Sequence, residues 1–157
     1  MKSRILLVIV FVSSFLYSQS DTENELQKIV ENSFQEIWSD LDENKIPDYY
    51  ASDFILFEDG EIYNRDSVRN YILNSKVMFS LEENKKHQFE RINRFEFIKS
   101  GVEGNLGWIA YHNYAEFKMD GNVISNMHWL ESATFIKTKD GWKMNFLHST
   151  PFKEEQN

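Results

Sequence analysis

Residues 105–150 read NLGWIAYHNYAEFKMDGNVISNMHWLESATFIKTKDGWKMNFLHST, and two Asp-Gly pairs, Asp120-Gly121 and Asp140-Gly141, cut them into three strand-like segments. Asp-Gly between alternating segments is the strongest short-range signal for a hairpin. Two-residue turns set Met119 opposite Asn122 and Lys139 opposite Trp142. Counting outward pairs Trp129 with His112, Glu131 with Ala110, Ala133 with Trp108 and His148, and Phe135 with Phe146. Opposed residues share a side of the sheet. The expected inward face therefore holds Trp108, Ala110, His112, Tyr114, Met127, Trp129, Glu131, Ala133, Phe135, Met144, Phe146 and His148. Ile109, Tyr111, Leu130 and Leu147 fall on the other side, where a partner subunit could cover them.

Working back toward the N-terminus, 87–99 alternates as a further strand with Phe89, Phe95 and Phe97 on one side. Asp66 is expected to cap a helix that buries Val68, Tyr71 and Ile72. Segments 54–57 and 61–63 flank Asp59-Gly60 as a small hairpin. Residues 22–44 carry Leu26, Ile29, Val30, Phe34, Ile37, Trp38 and Leu41 at helical spacing, with Thr22 and Glu25 placed for a capping box and Pro47 beyond the end. Helices gathered at the start and strands at the end predict an α+β domain, with the helices on one face of an antiparallel sheet.

The first twenty residues stand apart. Lys2 and Arg4 precede an apolar run from Ile5 to Val12, and Ser18 and Ser20 are small residues placed for cleavage before Asp21. This pattern predicts a secretory signal peptide over 1–20 and a single mature domain over 21–157. The protein is then exported, to the periplasm or the extracellular space. With no cysteine among 157 residues, an exported fold must rely on its core, for which 13 Phe, 7 Tyr and 4 Trp supply the rings. The net charge of −8 falls further once Lys2 and Arg4 are removed, and such acidity argues against nucleic-acid and anionic-membrane partners.

A long first helix, a small hairpin, a second helix and a sheet closing on Asp140-Gly141-Trp142 through His148-Ser149 resemble the nuclear transport factor 2-like superfamily, in its SnoaL-like and ketosteroid-isomerase-like branch. Trp129-Leu130-Glu131-Ser132 carries part of the same likeness. The resemblance covers about residues 22–152. It implies a cone-like curved antiparallel sheet wrapped around the N-terminal helices, a small hydrophobic ligand at the open end, and a homodimer through the outer sheet face. The isomerase members use an aspartate base, and no aspartate sits on the inward face of the last three strands, so that pattern is not carried over.

Glu131 is the leading acid–base candidate, since a carboxyl buried among rings has a raised pKa. His148 is the expected proton-shuttling partner. Trp38, Trp108, His112, Tyr114 and Trp129 are expected to line the ligand site. Glu131, His112 and His148 match an open metal site by ligand type alone; no close sequence pair supports that, and no metal or cofactor is expected. No cysteine nucleophile and no glycine-rich phosphate loop is present. Three functions stay open: a ligand-binding domain, an acid–base enzyme of isomerase, cyclase or hydrolase type using Glu131 and His148, and an assembly module.

Overall fold

The computed structural model describes residues 21–81 and 84–152; residues 1–20, over which a signal peptide is expected, and the last five residues lie outside the described residues. Helix α1 covers 21–33 and continues into a π-helical turn, Phe34–Ser39. Leu26, Val30, Phe34 and Ile37 are buried along it. The helix stops short of the expected end at Asn44, because Leu41 takes a left-handed φ of 56°. A 3-10 turn, Glu43–Lys45, leads into the short helix α2, Ile46–Tyr49.

Strands β1, Tyr50–Glu58, and β2, Glu61–Asn64, form the first hairpin, and helix α3, Arg65–Ser80, follows. Four long strands complete the chain: β3, Phe89–Glu103; β4, Leu106–Met119; β5, Asn122–Thr138; and β6, Gly141–Pro151. All six make one sheet in the order β2-β1-β6-β5-β4-β3. The architecture is α+β with a curved, open sheet, as the sequence leads one to expect. The sheet is mixed rather than antiparallel throughout, since β1 runs parallel to β6. Nothing local encodes that pairing, which joins segments about ninety residues apart.

Asp59-Gly60 and Asp120-Gly121 both take positive φ at both residues, at 52° and 83° and at 53° and 78°, as the favoured two-residue hairpin turn requires. Asp140-Gly141 behaves differently. Only Gly141 has positive φ, Thr138 pairs with Gly141, and Asp140 N donates to Thr138 Oγ1 at 3.1 Å. That is a tight turn over Lys139-Asp140 closed by a glycine bulge.

Two further irregularities decide which side chains face inward. In β5, Met119↔Asn122 and Lys118↔Val123 pair as expected, but Phe117 then pairs with Ser125, leaving Ile124 as an extra residue. From that point Tyr111 lies opposite Glu131 and Asn113 opposite Trp129. In β6, Asn145 is the extra residue between Thr134↔Phe146 and Phe135↔Met144, so Leu147 and Ser149 turn inward. The β5 face is the expected one, with Trp129, Glu131, Ala133 and Phe135 buried. The β4 and outer β6 faces are reversed. Ile109, Tyr111 and Leu147 are core residues rather than an interface, whereas Trp108, His112, Tyr114, Phe146 and His148 lie on the other side.

The cap of α3 lies two residues earlier than expected. Asn64 accepts from Ser67 N at 2.9 Å, and Asp66 already lies inside the helix. Asn64→Ala should therefore cost about 1 kcal/mol in chemical denaturation. Asp66→Ala should cost less than Asn64→Ala, because it removes only a first-turn charge; the reverse order would restore Asp66 as the cap.

Candidate functional site

Helix α1 with its π turn, helix α3 and the β1–β2 hairpin face the concave side of β3–β6 across a cavity of about 300 Å³. Phe34 and Trp38 reach it from the π turn, Val68 and Tyr71 from α3, and Glu58, Asp59 and Tyr63 from the hairpin. The sheet contributes Arg91, Phe117, Met127, Trp129, Glu131, Leu147 and Ser149. Trp38 is fixed by donating Nε1–H to Tyr50 Oη at 2.9 Å. The lining is not uniformly apolar: three carboxyls, a guanidinium and the Ser149 hydroxyl share it with the rings.

Glu131 is 3% exposed, and its carboxylate has two donors on its two neighbouring strands. Ser149 on β6 donates Oγ–H to Oε1 at 2.9 Å, and Asn113 on β4 donates Nδ2–H to Oε2 at 3.3 Å. The row continues toward the sheet edge. Asn93 on β3 donates to Asn113 Oδ1 at 2.7 Å, and Arg91 Nε donates to Asn93 Oδ1 at 3.0 Å. Four adjacent strands thus each place a polar side chain on the inward face, and each is hydrogen-bonded to the next.

Burial pushes the Glu131 carboxyl up to about 7, with Ser149, Tyr111, Asn113 and the Arg91 charge all pulling the other way. Tyr111 is fully buried beside it, close enough to act on the carboxylate, although its hydroxyl lacks a hydrogen bond of good geometry. Burial, and after it the neighbouring Glu131 charge, raises the Tyr111 pKa well above its ordinary value. Glu58, nearer the rim, is raised by burial and by Asp59. Arg91 is lowered by burial and supported by Glu131. A carboxyl that changes charge near neutrality, with oriented donors, can give or take a proton inside the cavity.

The remaining expected site residues part company here. Trp38, Trp129 and Glu131 meet at the cavity. His148 does not: Ser149 opposes Glu131, so His148 points outward, exposed and edge-on to Phe57 at 6.4 Å. His112 lies on the convex side with Nδ1 at 2.8 Å from His128 Nε2. Tyr114 stacks on His128 at 4.1 Å under the Arg94 guanidinium. Trp108 is 42% exposed, its indole lying over Gly101. Among the described residues no group of three histidine, aspartate or glutamate side chains is placed to hold a metal.

Arg91, Asn113 and Ser149 were not among the expected site residues. Arg91 had a signal in the sequence: it shares its strand parity with Phe89, Phe95 and Phe97, so an arginine stands on an apolar face. Asn113 and Ser149 carried none apart from the two bulges.

Neither a protein-family model nor a curated protein matches the chain by sequence. Solved structures do match by shape. An NTF2-like protein with a cystatin-like fold from Novosphingobium aromaticivorans superposes with a TM-score of 0.69 at 12% identity, over 96% of this chain and 92% of its own. An NTF2-like protein from Cytophaga hutchinsonii gives 0.61 at 10% identity, over 85% and 98%. A ketosteroid isomerase-like protein from Erwinia carotovora atroseptica gives 0.56 at 12% identity, over 79% and 92%. The fold is that of the nuclear transport factor 2-like superfamily.

The raised Glu131 carboxyl has a thermodynamic signature. Its folded pKa of about 7 lies above the ordinary 4.5, so the folded chain holds this proton more tightly than the unfolded one. Stability from this group is complete below pH 4.5, declines as the pH rises toward 7 and is constant beyond. Glu131→Gln should remove that decline. Urea melts at pH 5 and pH 8 should show the variant gaining on wild type at pH 8 by a few kcal/mol, on the order expected for a shift of this size; parallel curves would mean an unshifted carboxyl.

Proposed function

We propose that this chain is an exported small-molecule-binding domain whose ligand occupies the cavity between the helices and the concave sheet. The observation that carries the reading is Glu131: a carboxyl held by Ser149 and Asn113 in the wall of a ring-lined cavity. A protein that needed only stability would do better with a hydrocarbon there, because a buried charge repays its desolvation poorly. The fold supports the same reading, since concave sites with a few placed polar groups are where small ligands bind.

A second reading follows from the same residue. Glu131 titrating near neutrality supports acid–base chemistry on the ligand, as in a protein of the ketosteroid isomerase-like kind. In this reading Glu131 works with the donors around it, and His148 takes no part. Convex-face residues such as Ile92, Trp108, Ile124 and Leu130 are exposed and support a homodimer through the outer sheet. Among the described residues no helix is long and apolar enough to cross a membrane.

The test is a thermal-shift screen of small cyclic organic compounds, with hits followed by tryptophan fluorescence. Binding should raise the melting temperature; Trp129→Phe should weaken it, and His148→Ala should leave it unchanged. Glu131→Gln should retain binding and, for any compound that wild type converts, abolish turnover. A molecule that binds nothing, or binds with His148 essential, would overturn the reading. Export has its own check: the secreted or periplasmic protein should begin at Asp21 by N-terminal sequencing, and a membrane-retained full-length chain would refute cleavage.

A further inference from the structure

The Arg91 side chain stands among four rings of the cavity. Its guanidinium lies 5.5 Å from the ring centres of Phe34 and Phe117, 5.8 Å from Trp129 and 6.0 Å from Trp38. Rings on several sides fix the direction of the planar fork and add cation–π attraction. Among the described residues the group makes one hydrogen bond, from Nε to Asn93. Among the described residues Nη1 and Nη2 donate to no protein group, and no carboxylate forms an ion pair with Arg91. Arg91 is half-buried, and a guanidinium facing a cavity without a paired anion leaves its fork donors open to a ligand. Arg91 also lines the cavity in which the same four rings stand.

We propose that the natural ligand is a small monocarboxylate with a planar unsaturated body, its two oxygens taken by Nη1 and Nη2 of Arg91 and its body lying on the cavity's rings. This rests on the small-molecule reading above and narrows it. A carboxylate matches the fork in a two-bonded geometry that a single hydroxyl or carbonyl cannot reproduce. One negative charge is the limit, because Glu58, Asp59 and Glu131 line the same space and a phosphate's second charge would meet them. The volume, about 300 Å³, lies at the small end of the roughly 300–1,000 Å³ seen for ligand sites. Glu131, where protonated, adds a donor rather than a repelling charge, so the two ionisable groups of the polar row act on the ligand together.

The probes are two matched pairs, benzoate with benzamide and cinnamate with cinnamamide, measured by titration calorimetry and tryptophan quenching on the mature chain. In each pair the acid should bind wild type about tenfold more tightly than the amide, the size of a charge-assisted interaction. Arg91→Met should lose that preference while still binding the amide. Arg91→Lys, which keeps the charge but not the fork, should keep only part of it. Amide binding equal to acid binding in wild type, or an undiminished preference in Arg91→Met, would overturn the carboxylate assignment and leave the cavity as a small-molecule site. Failure of all four probes to bind would overturn both. Should Arg91→Met not fold, the wild-type comparison and Arg91→Lys still decide.

Discussion

A β-strand offers one parity of side chains to the interior, and for β4 that parity is set by a single extra residue, Ile124, in the strand beside it. A slip of one residue exchanges the two faces of a strand. Before the bulge, the hairpin register would bring Trp108, His112 and Tyr114 inward against Trp129 and Glu131. After it, Ile109, Tyr111, Asn113 and Ala115 are inside, all but fully buried. Asn145 does the same for the far half of β6, exchanging Phe146 and His148 for Leu147 and Ser149. Both bulges serve the Glu131 carboxylate, because its two hydrogen-bond donors, Asn113 and Ser149, come from the flipped segments. Without them Glu131 would stand between Ala110 and His148, and neither Asn113 nor Ser149 would face it.

The polar row that results is a continuous structure rather than a set of pairs. Asn93 accepts from Arg91 and from Ser39 and donates to Asn113, and Asn113 donates on to Glu131, so the direction of every amide is set by its neighbours. A network of this kind in a low-dielectric interior gives a unique arrangement when satisfied and is expensive when broken. It also joins Arg91 to Glu131 across three strands without an ion pair between them. The carboxyl is therefore stabilised enough to stay folded inward, yet burial still wins and holds its pKa near neutrality.

Much of this was legible in the sequence, and the rest has physical reasons for being hidden. The strict alternation of Trp129, Glu131, Ala133 and Phe135 fixed the inward face of β5, and positive-φ Asp-Gly turns fixed two hairpins. The third Asp-Gly, after Thr138, turned one residue earlier because the Thr138 hydroxyl accepts from Asp140 N and Gly141 becomes the bulge residue. Bulges leave no composition mark of their own: Ile124 and Asn145 look like ordinary strand residues. Their trace lay in the misfits. Ile109, Tyr111 and Leu147 form an apolar set on the face that unbulged strands would turn outward, and such a set is the mark a register change leaves. Leu130, the fourth of that set, does remain outside at 43% exposure. The parallel contact of β1 with β6 depends on closing a loop of most of the domain, which no local pattern reports.

The π turn at Phe34–Ser39 completes the argument for function over stability. A π segment interrupts the regular hydrogen-bond ladder and is found most often where a helix meets a site. Here it places Phe34 and Trp38 over the Arg91 guanidinium, with their own rings 6.4 Å apart. The domain has no disulfide to spend and relies on a ring-rich core, so a leucine or methionine at 91 would be the easier solution for folding alone. An irregular helix, two bulged strands and a buried charge have instead been retained around one cavity. Local rules broken together at one place are expected where a fold trades regularity for function, and the proposed ligand site rests on that concentration between Arg91 and Glu131.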